Sequence, residues 1–379
     1  MDNNVKTNLI DKIFFKKYRC LEYIGEGSKS LVYKAVYNNK YYALKLQDIK
    51  NNPNILSNEA SIMIYLQGPN IPYISTYGSS GGYNIIAMQL LGENLQKIFE
   101  NQGSFSIKTV CILAFQMISV LEHIHTKGII HRDIKPENFL IGKDNNSKYL
   151  YLIDFGVSKF FDKNGLNSIL IDKKDLIGSP RYASINALRG IEQSMRDDLE
   201  SVGYVLVYFL KGRLPWMGID CKDRSEKLKK ICIRKIETSS SDLCSGLPKE
   251  FVEYMDYVKD LEYGQMPDYH MIKNLFLKIL RNNKCKFDYL YDWNEPEKAK
   301  EKIKINTEFY SKSSDIANLD IINTTENMRP IITENINNVE NLGKKEDKDE
   351  NNDTKKKKKK IKLITMNNNK KRVVKFFDI

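Results

Sequence analysis

The stretch His131-Arg132-Asp133-Ile134-Lys135-Pro136-Glu137-Asn138 decides how this chain reads. It puts a carboxylate, an ammonium and an amide on one short loop, with Lys135 two residues and Asn138 five residues after Asp133. Phosphoryl transfer from ATP needs that set. An aspartate can accept the proton of an attacking hydroxyl, a lysine can neutralise charge on the moving phosphoryl group, and an asparagine can hold Mg2+. Sixteen residues beyond Asn138 comes Asp154-Phe155-Gly156, whose carboxylate suits a magnesium ion between the ATP phosphates. The octet alone could be an accident. Followed by this tripeptide at this distance, it points to one chemistry.

Upstream, Leu21–Ile24 and Leu31–Tyr37 read as strands around Gly25-Glu26-Gly27-Ser28-Lys29-Ser30. Asn38-Asn39 marks a hairpin turn, and Tyr41–Leu46 a third strand carrying Lys45. A helix is expected over 55–66, with Glu59 in it, then strands over 73–77 and 83–89. A lone GxG is as often an ordinary turn. Here the order matches a lid over phosphates, whose glycines admit a close backbone approach, followed by a strand lysine that grips them and is paired with Glu59. Taken singly, Lys45 also reads as a snorkelling surface lysine, Glu59 as a solvated helix face and Asp133 as a structural loop carboxylate. The ordered set favours the phosphate reading. His131 and Arg132 are expected to orient the loop, and Asp198 to accept hydrogen bonds from its backbone.

Beyond Gln89 the pattern changes. Val110, Leu113, Ala114, Met117, Ile118, Leu121 and Ile124 recur at helical spacing and stop just before Gly128. A short strand over 149–153 leads into Asp154. Helices are expected over 196–210, 224–235, 248–260 and 269–280. The class is therefore α+β: a β-rich lobe with one main helix, then a mainly helical lobe, with the active loops at the junction where clefts form.

The chain has 379 residues, 41% of them apolar, and a net charge of +12. Both sides of Asn294 carry a surplus of Lys and Arg, which suits acidic or phosphorylated partners. The six scattered cysteines contain no CxxC pair, which argues against a disulfide framework or zinc site. No signal peptide, lipidation signal or transmembrane segment is expected, and the longest apolar-rich stretch, 202–210, is far short of the ~20 residues that span a bilayer. From 294 to 379 the composition turns to Asn, Lys, Glu and Asp, with six lysines at Lys355–Lys360. This tail is expected to be disordered. Its basic runs suit an anionic partner such as an import receptor, nucleic acid or a membrane surface, or are simply solvated charge. A monomer in the cytoplasm, with entry to the nucleus, is expected.

These motifs resemble eukaryotic protein kinases, and Lys135 in the HRDxK pattern marks the serine/threonine type. The resemblance narrows to the casein kinase 1 family, because Gly178-Ser179-Pro180-Arg181-Tyr182-Ala183-Ser184-Ile185-Asn186 has Ser-Ile-Asn where most kinases have Ala-Pro-Glu. The run 190–204, Leu214-Pro215-Trp216 and the end Phe287–Asn294 resemble that family as well. The likeness covers about 18–293 and implies a bilobal protein kinase fold. It divides the chain into an extension over 1–17, an N-lobe over about 18–88, a C-lobe over about 89–293 and the tail.

The resemblance implies ATP and Mg2+ as cofactors. It places Asp133, Lys135, Asn138 and Asp154 at the catalytic centre, with Asn138 and Asp154 on the metal. Around ATP it places Ile24, Gly25, Gly27, Val32, Ala43, Lys45, Glu59, Met88 as gatekeeper, and Gln89 and Leu91 in the hinge. It implies substrates that are phosphorylated or acidic three residues before the target, seated by Arg181, Lys227 and the backbone of Gly218. It also implies activity without phosphorylation of the activation segment, and a Ser179 hydroxyl bridging Asp133 and Lys135. The chain departs from the family at Lys29 and Ser30 of the lid, at Gln89, and in its serine-poor tail. The altered lid keeps a second reading open: a pseudokinase scaffold that binds nucleotide or partners without turnover. Against it stands the complete set of phosphoryl-transfer residues.

Overall fold

Asn38 and Asn39 both take left-handed backbone, with φ of 48° and 59°. Asparagine tolerates that region, and a two-residue turn of this hand matches the twist of its flanking strands. It joins β3 (Leu31–Tyr37) to β4 (Lys40–Asp48) with Tyr37 opposite Lys40. This hairpin is the middle of a six-stranded sheet in the order β1-β2-β3-β4-β6-β5. The other strands are β1 (Ile13–Phe14), β2 (Tyr18–Glu26), β5 (Ile74–Ser80) and β6 (Tyr83–Gln89). One helix, α1 (Ile55–Leu66), packs against β5 and β6. The computed structural model describes residues 9–27, 30–50, 55–161 and 176–294. The lid tip Ser28-Lys29 and the expected tail with Lys355–Lys360 lie outside the described residues.

From Leu9 on, the segment read as an extension is part of the sheet. β1 pairs with β2, Leu9 and Phe14 are buried, and the Phe15 amide donates to Ser80 Oγ at 3.0 Å. A two-residue edge strand has no period to read, so only its buried apolar side chains reveal it.

The C-lobe comprises α2 (Leu95–Gln102), α3 (Ile107–Thr126), α4 (Ile185–Leu188), α5 (Met195–Lys211), α6 (Arg224–Glu237), α7 (Ser240–Leu243), α8 (Lys249–Asp260) and α9 (Tyr269–Asn282). Short strands β7 (Ile129–Ile130) and β10 (Lys159–Phe160) pair antiparallel, as do β8 (Phe139–Ile141) and β9 (Leu150–Leu152). Helix α3 starts at Ser106, whose hydroxyl accepts the Thr109 amide, and stops before Gly128. All seven apolar positions read from its sequence are buried. By length and composition α3 is apolar enough to cross a membrane, but its side chains are spent in the lobe between α5 and α9. Truncating one, such as Leu121→Ala, costs about 2–5 kcal/mol. Helix α5 approaches α8 closely because residue 203 is glycine: a Cβ there would collide with Met255 Sδ.

Candidate active site

The sheet register brings the nucleotide residues into line. Gly25 lies opposite Val32, Val32 opposite Lys45, and Ala43 opposite Met88 at the end of β6. Of the hinge residues, Gln89 closes β6 and Leu91 lies just beyond it, the Gln89 amide donating to Tyr73 O at 3.0 Å. The Gln89 side chain approaches the Tyr151 hydroxyl of β9. At the lid, the Gly27 amide donates to Ser30 O at 2.8 Å, and Ser30 is buried with its hydroxyl where a Gly27 Cβ would sit. Ile24 is exposed at the mouth.

Lys45 reaches from β4 to Glu59 of α1, with Nζ 2.7 Å from both carboxylate oxygens, and to Asp154 Oδ1 at 2.9 Å. Glu59 is buried, whereas the Asp154 side chain is 40% exposed and so faces the cleft. Burial works against the charge on Lys45, but the two carboxylates overcome it and hold the ammonium well above the ordinary lysine range. Burial likewise opposes charge on Asp154, and Lys45 more than reverses it, holding the carboxyl below its usual value.

The loop 131–138 hangs from one buried carboxylate. Asp198, on α5, accepts the His131 amide at 2.7 Å and the Arg132 amide at 2.9 Å. His125 Nε2 donates to the same group at 2.9 Å, and its Nδ1 accepts the Tyr269 hydroxyl at 2.6 Å. Burial raises the cost of charge on Asp198, yet the His125 and His131 donors keep it ionised below the ordinary range. His131 packs its ring edge-on to Phe155, and its Nε2 meets Ile153 O at 3.1 Å. Arg132 and Asp154 both have positive φ, 70° and 66°. Such strain costs about 1–3 kcal/mol per residue and persists only where surroundings enforce it. Here Arg132 Nε is tied to Val157 O at 2.7 Å.

Asp133 gathers donors on both oxygens. Lys135 Nζ lies 2.6 Å from Oδ2, and Asn138 Nδ2 donates to Asp133 O at 2.7 Å. The Ser179 amide and hydroxyl both donate to Oδ1 at 3.0 Å. The bridge expected from Ser179 to Lys135 therefore runs through the carboxylate between them. This approach needs Gly178, whose φ is +98° and whose Cβ would stand 2.6 Å from Arg132 O.

No hydrogen bond or ion pair among the described residues joins any two of the three anion-site residues. Arg181 is exposed, its guanidinium 5.8 Å from the Tyr182 and Tyr208 rings. Gly218 has φ +81° in the turn after Trp216, and Lys227 is exposed in the first turn of α6. Sequence reading missed His125 and Tyr269 behind Asp198, and Lys235 beneath the segment around Arg181. Lys235 carried a signal, since it falls on the apolar stripe Leu228, Ile231, Cys232 of its helix.

A protein kinase domain family model matches residues 18–281. Casein kinase I homolog 2 of Schizosaccharomyces pombe is 40% identical over 284 residues, covering 73% of this chain. The match spans 65% of that relative's own length.

Proposed function

We propose that this chain, which belongs to the protein kinases and within them to the casein kinase 1 family, transfers the γ-phosphate of ATP to serine or threonine of acidic or phospho-primed proteins. The observation that carries this reading is the donor set on Asp133. Lys135 on one oxygen and Ser179 on the other fix a carboxylate that stays partly open to solvent.

The residues fit ATP and Mg2+. The Asn138 amide nitrogen is committed to Asp133 O, which leaves its oxygen as donor to a cation. With the solvent-facing Asp154 carboxylate it forms the hard oxygen pair that magnesium accepts alongside phosphate and water. When bound, ATP supplies the phosphoryl group and Mg2+ offsets its charge. The chain does the rest. Lys45, fixed by Glu59, presents a permanent cation to the phosphates. Asp133 orients the incoming hydroxyl and takes its proton, and Lys135 lowers the charge build-up beside it. Arg181 and the basic surplus of the chain favour an acidic or phosphorylated approach.

Incorporation of phosphate from Mg-ATP into casein tests the reaction. Activity is expected in the wild type and to be lost in Asp154→Asn. Equal signals from the two would favour the nucleotide-binding scaffold. Profiling on primed, acidic and unprimed peptides tests the preference, and indifference to charge three residues upstream would remove the anion-site assignment.

A further inference from the structure

Lys235 plays no part in the chemistry above, yet it is the most fully buried lysine among the described residues. Its side chain is 1% exposed. A lysine stem normally lets the ammonium snorkel to water. This one instead donates to Ala183 O, and its Nζ lies 4.4 Å from the centre of the Tyr204 ring and 4.7 Å from that of Trp216.

The carbonyl it holds belongs to a strip that starts at the catalytic carboxylate. Ser179 bonds Asp133 at one end. The Trp216 indole donates to Arg181 O at 2.8 Å, Lys235 holds Ala183 O, and Ser184 Oγ donates to Asp197 at 2.6 Å. The next amide, Ile185, donates to Glu200 Oε1 at 2.9 Å. The strip is thus held from beneath at successive residues while Arg181 stays exposed above it.

We propose that Lys235 is a positioning residue for the protein substrate: by holding Ala183 O from below, it fixes the strip 179–184, and Arg181 with it, relative to Asp133. This rests on the kinase reading above. A group that only filled the space would be apolar, since burying an ammonium without a carboxylate partner costs free energy. An apolar side chain has no donor to aim at a backbone carbonyl. Keeping a lysine there carries a cost, because burial pushes the ammonium down to about 7, with Glu200 and Cys232 opposing the fall only in part. The groups facing it are Glu200 and Tyr204 of α5, Trp216 in the turn that follows, and Cys232 on its own helix, itself near Arg189 at the end of α4. Glu200 is satisfied elsewhere, by the Ile185 amide and the Tyr204 hydroxyl.

The test is steady-state kinetics of wild type and Lys235→Met on an acidic peptide carrying no phosphate, so that the peptide's charge stays constant. The variant is expected to raise the peptide KM about tenfold, the worth of one hydrogen bond and a desolvated cation–π contact. The KM for ATP and kcat stay within about twofold, and Tm changes little. Wild-type peptide KM rises as pH passes upward through about 7, and this rise is absent in Lys235→Met. Should that variant not fold, Lys235→Leu takes its place in the same assay: a raised peptide KM with flat kcat supports the proposal, and a wild-type peptide KM overturns it. A folded variant with wild-type peptide KM also overturns it. A wild type without any transfer activity would instead remove the kinase reading, and this proposal with it.

Discussion

Lys45 and Lys235 are both withdrawn from water, and they end in opposite states. Lys45 faces two carboxylates and is held charged far beyond any working pH. Lys235 faces two rings and a carbonyl and is pushed to about 7. Burial penalises both ammonium groups, so the partner decides the outcome. A carboxylate pair makes a permanent cation, fit to meet phosphate. An aromatic cage with one acceptor makes a donor whose charge is conditional, fit to hold backbone. The first device lies in the cleft and the second lies under the strip bearing Arg181.

The comparison breaks most visibly at Lys45. Lys45→Met leaves Glu59 buried without its cation, which costs about 3–5 kcal/mol of folding stability in urea unfolding at pH 7. Phosphate transfer should fall by about two orders of magnitude or more, since a cation aimed at developing charge is lost. Unchanged stability would mean that Glu59 is not held as a carboxylate by Lys45.

Lys235→Met should move stability far less, because relief of a buried ammonium offsets the loss of the donor to Ala183 O. The pH dependence sharpens the contrast. Below about 7 the Lys235 ammonium is charged in folded and unfolded chains alike, and folding bears the full cost of burying it. Between about 7 and the ordinary lysine value of 10.5 the unfolded chain binds the extra proton, so wild-type stability rises with pH. The stability of Lys235→Met relative to wild type is therefore highest below pH 7 and falls toward 10.5. A relative stability that grew with pH would contradict the assignment. No such dependence arises from Lys45, because its value is raised: its stabilisation is complete below the ordinary lysine value and is lost only above it.

The smallest effect is expected at Ser179. Ser179→Ala removes one of two donors to Asp133 Oδ1 and leaves the amide. The loss is about 0.5–1.5 kcal/mol of transition-state stabilisation, a few-fold in kcat. A loss as large as that at Lys45 would show that the hydroxyl does more than support the carboxylate.

The first device was legible in the sequence and the second was not. Lys45, Glu59 and Asp154 could be placed because each sits in a motif of fixed order, and the helix 55–66 matched its apolar spacing. The long helix was readable because its core-facing side recurs at i, i+3, i+4 and i+7. The pairing of residues 9–17 was not, since two-residue strands have no period. Helix α2, eight residues of mixed polarity, gave little signal either. Lys235 broke the apolar stripe of α6, but what it meets comes from residues 183, 204 and 216, and no local pattern joins them. Exposed Ile233 and Ile236 on the same helix show that composition alone misplaces the buried face.

The central claim is that Asp133, braced by Lys135, Asn138 and Ser179, handles the proton of the acceptor hydroxyl. Single-turnover phosphorylation of an acidic serine peptide at saturating Mg-ATP tests it, comparing wild type with Asp133→Asn. The account predicts a rate lower by about 10²–10⁴-fold with ATP affinity nearly unchanged, the usual worth of a positioned base. Equal rates in the two proteins would contradict it.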